Sequence, residues 1–205
     1  MLDYYREEEA LLAAQRQRLA KASGGIAASA DGHRLELAVN IAFAAEAQQG
    51  FAQGADGVGL FRTEMLFMDA DEPPGEDEQF QCYAEVVRLA AGRPVIIRTF
   101  DIGGDKPARC LPAPQESNPF LGYRAIRMYP DQEAVFRAQL RAILRASALG
   151  PVKVMIPMVA TLGEARWVRR LLEEERAALG RAEPVPLGIM LEVPSVLFQL
   201  DAFCR

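Results

Sequence analysis

The side chains best suited to chemistry stand at the ends of short apolar runs. The run GVGLFR ends in Arg62, the run PVIIRTFD carries Arg98, and the run PLGIMLEVP carries Glu192. Guanidinium groups bind phosphate oxygens in a bidentate manner with a permanent charge, and a carboxylate beside a phosphate suits Mg²⁺. If the fold brings these side chains to one rim, they form a site for a small phosphorylated ligand. The alternative is that each arginine makes a structural salt bridge.

These runs belong to a repeating pattern that predicts a parallel β-sheet. Short apolar segments alternate with longer segments of helical pattern, which is typical of βαβ units. Their continuous apolar character fits strands that are buried on both faces, and ligands of such folds lie at the carboxyl ends of the strands. The predicted strands are 35–40, 57–62, 94–101, 151–158 and 186–194.

The number of strands leaves two architectures open. A closed eight-stranded β/α barrel takes about 250 residues, whereas residues 25–205 hold only five strand–helix units. This part is therefore either an open five-stranded sheet or a barrel cut off partway. Residues 3–22 are rich in helix formers and are followed by Ser23-Gly24-Gly25, which ends a helix. We therefore assign residues 1–24 as a linker helix and residues 25–205 as the β/α domain.

The segment after the third strand is long and polar, and such segments in compact domains are either functional or disordered. Gly103 and Gly104 allow close approach of the backbone, and Lys106 follows them as a candidate phosphate contact. Further along, the stretch NPFLGYR combines apolar residues, which would anchor the segment, with a third arginine, Arg124. We therefore predict a folded active-site loop.

The composition excludes several classes of function. Lys and Arg number 23 against 28 Asp and Glu, for a formal net charge of -5, so neither nucleic acid nor an anionic membrane surface is an expected partner. No apolar stretch approaches the roughly 20 residues that span a bilayer, so membrane insertion is not expected, and the N-terminus lacks a secretory pattern. Cys82, Cys110 and Cys204 have no metal or disulfide spacing, which makes the cytoplasm the expected compartment. His33 is predicted to be a turn residue.

Charged runs on two later helices are predicted to be solvated faces. Arg137, Arg141 and Arg145 recur every four residues, and residues 173–175 are all glutamate. Both patterns are typical of an exposed helix surface. The acidic segment 69–80 is predicted to open a helix, because the helix dipole favours negative charge there.

Six stretches of the chain resemble one family. In chain order they are GADGVGLFRTEMLFM, VIIRTFDIGGDKP, NPFLGYRAIR, QLRAILRAS, KVMIPM and IMLEVP. They are similar to Enzyme I of the bacterial sugar phosphotransferase system, the phosphoenolpyruvate–protein phosphotransferase, and the similarity covers nearly the whole chain. The resemblance implies a TIM-type (β/α)8 barrel, here truncated to about five units, that binds phosphoenolpyruvate and Mg²⁺ and forms a homodimer in the full-length protein.

The resemblance also implies roles for individual residues. Arg62 and Arg98 would grip the phosphoryl group, and Lys106 and Arg124 would line the same pocket. Glu192 would be one of two Mg²⁺ ligands. The family pattern there is usually Glu-Thr-Pro, and a valine replaces the threonine in this chain, which puts a hydrogen bond near the metal in doubt rather than the ligand itself.

The mechanism implied by the family needs parts that these motifs do not include. The phosphoryl group would pass to a histidine of another domain and then to the phosphocarrier protein HPr. The motif of that histidine, a second metal ligand in a GTNDLTQY-type stretch and a cysteine in a GMCGE-type stretch have no match here, so we expect no turnover from this chain alone. The alternatives are a relative of pyruvate phosphate dikinase or phosphoenolpyruvate synthase, and a non-catalytic phosphoenolpyruvate-binding remnant.

Overall fold

In the part of the chain that the computed structural model describes, five short strands form one parallel sheet, in which neighbours along the chain are neighbours in space. That part comprises residues 2–22, 25–68, 70–104, 106, 108–114 and 116–204. The strands are β1 (Ala38–Ile41), β2 (Gly57–Arg62), β3 (Val95–Arg98), β4 (Val152–Ile156) and β5 (Leu187–Ile189). This order lacks the reversal of a doubly wound sheet and is the order of strands in a β/α barrel. The α/β class is confirmed, while closure into eight strands stays a prediction.

Helices follow the strands in the predicted alternation. The α-helices are α1 (Leu2–Ala22), α2 (Ala44–Ala52), α3 (Met65–Met68), α4 (Glu76–Ala90), α5 (Glu133–Ala146), α6 (Leu162–Ala178) and α7 (Leu200–Phe203). Short 3₁₀ turns lie at Pro119–Leu121, Ala125–Arg127 and Pro194–Gln199. The acidic segment does open α4, as predicted, with Glu76, Asp77 and Glu78 in the first turn.

Apolar side chains on both faces of the sheet explain its position in the middle of the domain. Val58 and Phe61 of β2, Ile97 of β3, and Val154 and Ile156 of β4 are all buried. Hence β2, β3 and β4 are largely buried strands, as the sequence predicts. The prediction is wrong for the outer strands, since β1 is exposed or half-buried except at Ile41, and no residue of β5 is fully buried. Three predicted runs extend past the carboxyl ends of their strands, because β3 ends at Arg98, β4 ends at Ile156 and β5 ends at Ile189. Asp101 and Glu192, which lie in two of these runs, are therefore loop residues.

The arginines of α5 do not form a solvated stripe, and this prediction is wrong. Arg141 donates to Glu76 on α4 at 2.6 Å and to Glu175 on α6 at 3.1 Å. Arg137 bonds Glu175 at 2.6 Å, and Arg145 bonds Glu76 at 2.7 Å. Since α5 packs between α4 and α6, its outer face meets acidic side chains of two helices instead of water.

The glutamate run on α6 is also only partly solvated. Glu175 is buried and accepts hydrogen bonds from Arg137 and Arg141. Glu174 pairs with Arg137, and Glu173 pairs with Arg176. Helical periodicity turns Glu175 toward α5, whereas Glu173 and Glu174 stay near the surface.

The helix predicted near the N-terminus is present as α1. Its described side chains are exposed, including the large apolar ones at Tyr4, Leu11, Leu12 and Leu19. Ser23 and Gly24, where the boundary between linker and domain is predicted, lie outside the described residues, so the boundary stays a prediction. Among the described helices, none is both long and apolar enough to cross a membrane. His33 lies in an exposed turn closed by a 2.8 Å hydrogen bond from Ser29 N to its carbonyl, as predicted.

Candidate active site

Arg62 and Arg98 are direct partners across the β2–β3 pair. Residues that pair in a parallel sheet project to the same side, so both side chains leave the sheet at the same carboxyl end. Their surroundings differ, because Arg62 is exposed whereas Arg98 is only 5% exposed. The fold therefore brings together the two arginines singled out from the sequence, one at the surface and one in the interior.

Arg98 is held by acidic groups but keeps one donor free. Its Nη2 lies 2.5 Å from Glu64 Oε1, and its Nη1 lies 3.7 Å from Asp101 Oδ2 and 3.6 Å from Met190 Sδ. Its Nε is buried and has no acceptor among the described residues. Because a buried donor without an acceptor is costly, this N–H marks a place where a ligand oxygen would be favoured.

The carboxylate of Asp101 contacts cationic side chains from separate segments of the chain. Arg124 donates to its two carboxylate oxygens, from Nε at 2.9 Å and from Nη2 at 2.8 Å. Lys106 Nζ lies 3.4 Å from Oδ2. Burial opposes ionisation of this 2% exposed residue, but the hydrogen bonds from Arg124 and the charges of Arg124, Lys106 and Arg98 outweigh it and lower the pKa of Asp101. The carboxylate is therefore ionised at neutral pH.

Several cationic side chains meet at the carboxyl ends of β2 and β3. Among the described residues, Arg98, Lys106 and Arg124 face the carboxylates of Glu64 and Asp101. Arg62 lies at the adjoining strand end. Guanidinium and ammonium groups brought together in this way suit a phosphate as a ligand.

The double glycine after β3 closes the loop onto the cluster. Gly103 has φ +106° and forms antiparallel bridges with Lys106 and Arg124. A Cβ at Gly103 would lie 2.4 Å from the carbonyl oxygen of Tyr123, and one at Gly104 would lie 2.6 Å from that of Pro119. Only glycine permits this approach, which brings Lys106 and Arg124 to Asp101.

The described part of the loop is folded, but only one side of the predicted anchor stretch packs against the core. Tyr123 is partly buried there, whereas Phe120 and Leu121 are 60% and 70% exposed. The apolar residues that are fully buried are Ile102, Ala108, Leu111 and Ile126. Apolar character alone did not separate the buried residues from the exposed ones.

A buried polar network holds the strand ends from behind. Gln139 of α5 accepts from Phe100 N at 2.9 Å and donates to Thr63 Oγ1 at 3.2 Å and to Tyr83 OH at 2.9 Å. Thr63 Oγ1 in turn donates to the carbonyl of Arg98 at 2.9 Å. Bonds of this kind fix the backbone on both sides of the arginines, because a buried polar group that lost its partner would be costly.

Glu64, Asp101 and Gln139 were not among the residues singled out from the sequence. The first two stand within the stretches RTE and RTFD, directly after the arginines. A carboxylate a few residues after an arginine at a strand end could have identified both, since a buried cation needs an acidic partner. Gln139 had no such signal, because it lies within an ordinary helical pattern.

Glu192 lies in a turn beyond β5 and is exposed. Its Oε1 accepts a 2.6 Å hydrogen bond from the backbone N of Met158, a residue with φ +60° on the loop after β4. Two residues before Glu192, the sulfur of Met190 lies 3.6 Å from Arg98 Nη1. No group of three or more His, Cys, Asp or Glu side chains arranged for a metal occurs among the described residues. Since Mg²⁺ in phosphate sites takes one or two carboxylates plus water and phosphate oxygens, Glu192 fits as a single ligand.

The cysteines of the described core are not activated thiols. Burial, with the charges of Glu85 and Glu78, raises the pKa of Cys82 to about 11. Burial also raises the pKa of Cys110, whose Sγ donates to the carbonyl of Phe67 at 3.2 Å. Both are therefore protonated at neutral pH and do not serve as nucleophiles.

Comparison with known proteins places the chain among phosphoenolpyruvate enzymes. The family model described as "PEP-utilising enzyme, PEP-binding domain" matches residues 16–205. The chain is 49% identical over 206 residues to Multiphosphoryl transfer protein 1 of Escherichia coli strain K12, covering 98% of this chain and 25% of that protein. It is 46% identical over 206 residues to the phosphoenolpyruvate-protein phosphotransferase of Staphylococcus carnosus, covering 98% of this chain and 36% of that protein. The chain thus spans between a quarter and about a third of the length of these relatives.

The close approach of the Tyr123 carbonyl to Gly103 predicts that a methyl group added at Gly103 lowers the free energy of unfolding more than one added at an open glycine. Gly103→Ala should cost about 1–2 kcal/mol for the left-handed backbone and about 1–3 kcal/mol more for displacing the Tyr123 carbonyl. Gly92→Ala is the matched control, because Gly92 has φ +86° and nothing within 4 Å of an added Cβ. Urea unfolding of both variants measures the difference. Equal losses of unfolding free energy would contradict the close approach.

Proposed function

Because the chain belongs to the family of PEP-binding domains of PEP-utilising enzymes, we propose that its strand-end cluster binds phosphoenolpyruvate as the substrate-binding part of a phosphoenolpyruvate–protein phosphotransferase. The observation that carries the proposal is the buried Nε of Arg98, which has no acceptor among the described residues. This donor stands among the cations Arg98, Lys106 and Arg124, which suit a phosphate as a ligand. Relatives that are 43–49% identical to this chain over the aligned 206–210 residues bear the phosphotransferase or multiphosphoryl transfer name.

The proposed role of the cations is to neutralise the phosphoryl group during transfer. The bond between phosphorus and the enol oxygen breaks, the phosphoryl group passes to a histidine nitrogen of another domain, and the enolate takes up a proton to give pyruvate. Catalysis of phosphoryl transfer comes mostly from positioning and charge stabilisation. Arg62 and Arg98 would donate to phosphoryl oxygens from adjoining strand ends, and Lys106 and Arg124 would contribute charge from the loop.

Magnesium is the proposed cofactor, held by Glu192. A bound Mg²⁺ supplies charge neutralisation at the phosphate oxygens. The hydrogen bond from Met158 N orients the Glu192 carboxylate, and the exposure of this side chain leaves it accessible to a hydrated ion. A single carboxylate suits Mg²⁺ that keeps several waters and shares a substrate phosphate.

Removing the exposed arginine tests phosphoenolpyruvate binding without disturbing a buried pair. Arg62→Met should weaken phosphoenolpyruvate binding in isothermal titration by roughly 10- to 100-fold, since a charge-assisted hydrogen bond contributes about 1.5–3 kcal/mol. Arg93→Met is the control, because Arg93 lies just before β3, at its opposite end, and packs over the Phe51 ring at 4.7 Å. Identical affinities for wild type and Arg62→Met, or no binding by wild type, would refute the proposal.

The metal role of Glu192 predicts a change in magnesium dependence. In Glu192→Gln the amide oxygen still accepts from Met158 N, but the negative charge is gone. We expect Mg²⁺ to enhance phosphoenolpyruvate binding by wild type, and this enhancement to fall roughly tenfold in the variant. Glu183→Gln, an exposed carboxylate before β5, should behave as wild type in the same titrations. An unchanged magnesium dependence in Glu192→Gln would remove this residue from the metal site.

We further propose HPr as the phosphoryl acceptor, a homodimer as the state of the full-length protein, and the cytoplasm as its location. The names of the relatives state that a protein accepts the phosphoryl group, and the unpaired thiols of Cys82, Cys110 and Cys204 suit a reducing compartment. The dimer rests on the family resemblance and would be measured by sedimentation equilibrium.

A radioactive transfer assay distinguishes this function from its alternatives. Labelled phosphoenolpyruvate and Mg²⁺ are supplied together with two parts of a relative, its histidine-bearing domain and the segment that carries the GTNDLTQY-type and GMCGE-type stretches. Label should then reach HPr without nucleotide. A requirement for ATP or another nucleotide would favour the dikinase or synthase relative. Binding of phosphoenolpyruvate with no transfer under any of these conditions would favour the non-catalytic alternative.

A further inference from the structure

We propose that Asp101 is a positioning residue, whose buried carboxylate sets the cations of three chain segments in place for an incoming phosphoryl group before that group binds. This inference rests on the proposed function. Arg98 comes from the end of β3, Lys106 from the loop, and Arg124 from just before the second 3₁₀ turn. Asp101 contacts all three, at 3.7, 3.4 and 2.8 Å respectively.

The position of the carboxylate is itself fixed by the surrounding backbone. Asp101 N donates to Glu64 Oε1 at 3.2 Å, and the preceding residue, Phe100, donates to Gln139 Oε1 at 2.9 Å. The following residue, Ile102, accepts from Ala125 N at 3.0 Å. Because the backbone of residues 100–102 is hydrogen-bonded on both sides of Asp101, the position of its carboxylate is fixed by the fold. The longer side chains of the cations take their positions from this carboxylate.

Glu64 cannot replace Asp101 in this task. Glu64 lies 2.5 Å from Arg98 but 3.9 Å from Lys106, whereas Arg124 makes its two-oxygen pair with Asp101. A bidentate pair fixes the plane of a guanidinium as well as its distance. Loss of the Asp101 carboxylate would therefore remove the contact that orients the Arg124 guanidinium and the closer of the two acidic contacts that Lys106 makes among the described residues.

Removal of the Asp101 charge is expected to change the affinity for phosphoenolpyruvate in the direction opposite to that of charge repulsion alone. Asp101 is a negative charge inside a proposed anion site. If it acted only through its charge, its removal would strengthen the binding of an anion. If it positions the cations, its removal weakens binding, because displacement of binding groups by about 1 Å can cost on the order of a hundredfold.

The test compares Asp101→Asn with Asp131→Asn in titrations with phosphoenolpyruvate and Mg²⁺. Asp131 is an exposed carboxylate that accepts from Tyr123 OH at 2.6 Å, so its substitution removes the same charge near the loop without touching the three cations. We expect Asp101→Asn to weaken binding by roughly 10- to 100-fold and Asp131→Asn to leave it unchanged. A lower melting temperature with unchanged or tighter binding in Asp101→Asn would reveal a structural role only and would overturn the proposal.

A second measurement on the ligand-free wild-type chain does not depend on binding or on the folding of a variant. The Nε–H of Arg124, followed by NMR, should exchange with solvent on the order of tenfold more slowly than that of Arg34, whose side chain is 71% exposed. Equal exchange rates would mean that the Arg124 side chain is not fixed in place before the ligand binds, and would refute the role of Asp101. If exchange is slow but wild type does not bind phosphoenolpyruvate, the proposed function fails while the positioning of the cations stands.

Discussion

The structure depends on pairing buried charges at the carboxyl end of a parallel sheet. A cation in the interior must be paired, because the cost of removing it from water is large. Here Glu64 and Asp101 pair with Arg98, Lys106 and Arg124, while the Nε of Arg98 has no acceptor among the described residues. A ligand oxygen would satisfy this donor. The unsatisfied N–H is therefore the feature that connects the fold to the proposed function.

The sequence predicted the parts of the site that follow from periodicity. Apolar runs gave the sheet and its parallel connection, and the end of each run located Arg62 and Arg98, which the structure places side by side in register. Glu192 follows β5, at the carboxyl end of the sheet, where it bonds to Met158 of the loop after β4, and its place in the site stays a prediction. Run length overstated the strand here, because the apolar residues Met190 and Leu191 extend the pattern after β5 has ended.

The incorrect predictions concern residues whose environment is set by distant segments. The solvated stripe expected on α5 failed because α4 and α6 lie on either side of it, and their carboxylates come from positions 76, 174 and 175. Similarly, Phe120 and Leu121 are apolar but exposed, while Ile102, Ala108 and Leu111 of the same loop are buried. A helical or apolar pattern specifies a face of an element, but it does not specify what that face meets.

Helix α5 joins the stability of the domain to the order of the site. On its outer face Arg137, Arg141 and Arg145 bond the carboxylates of the two neighbouring helices. On its inner face Gln139 bonds Thr63 and the Phe100 backbone, directly beside Arg98 and Asp101. A shift of α5 would therefore break ion pairs on one side and move strand ends on the other. Since a binding site held by regular elements is more precise than one held by loops alone, this helix explains how a long polar loop can carry Lys106 and Arg124 and still present them in one arrangement.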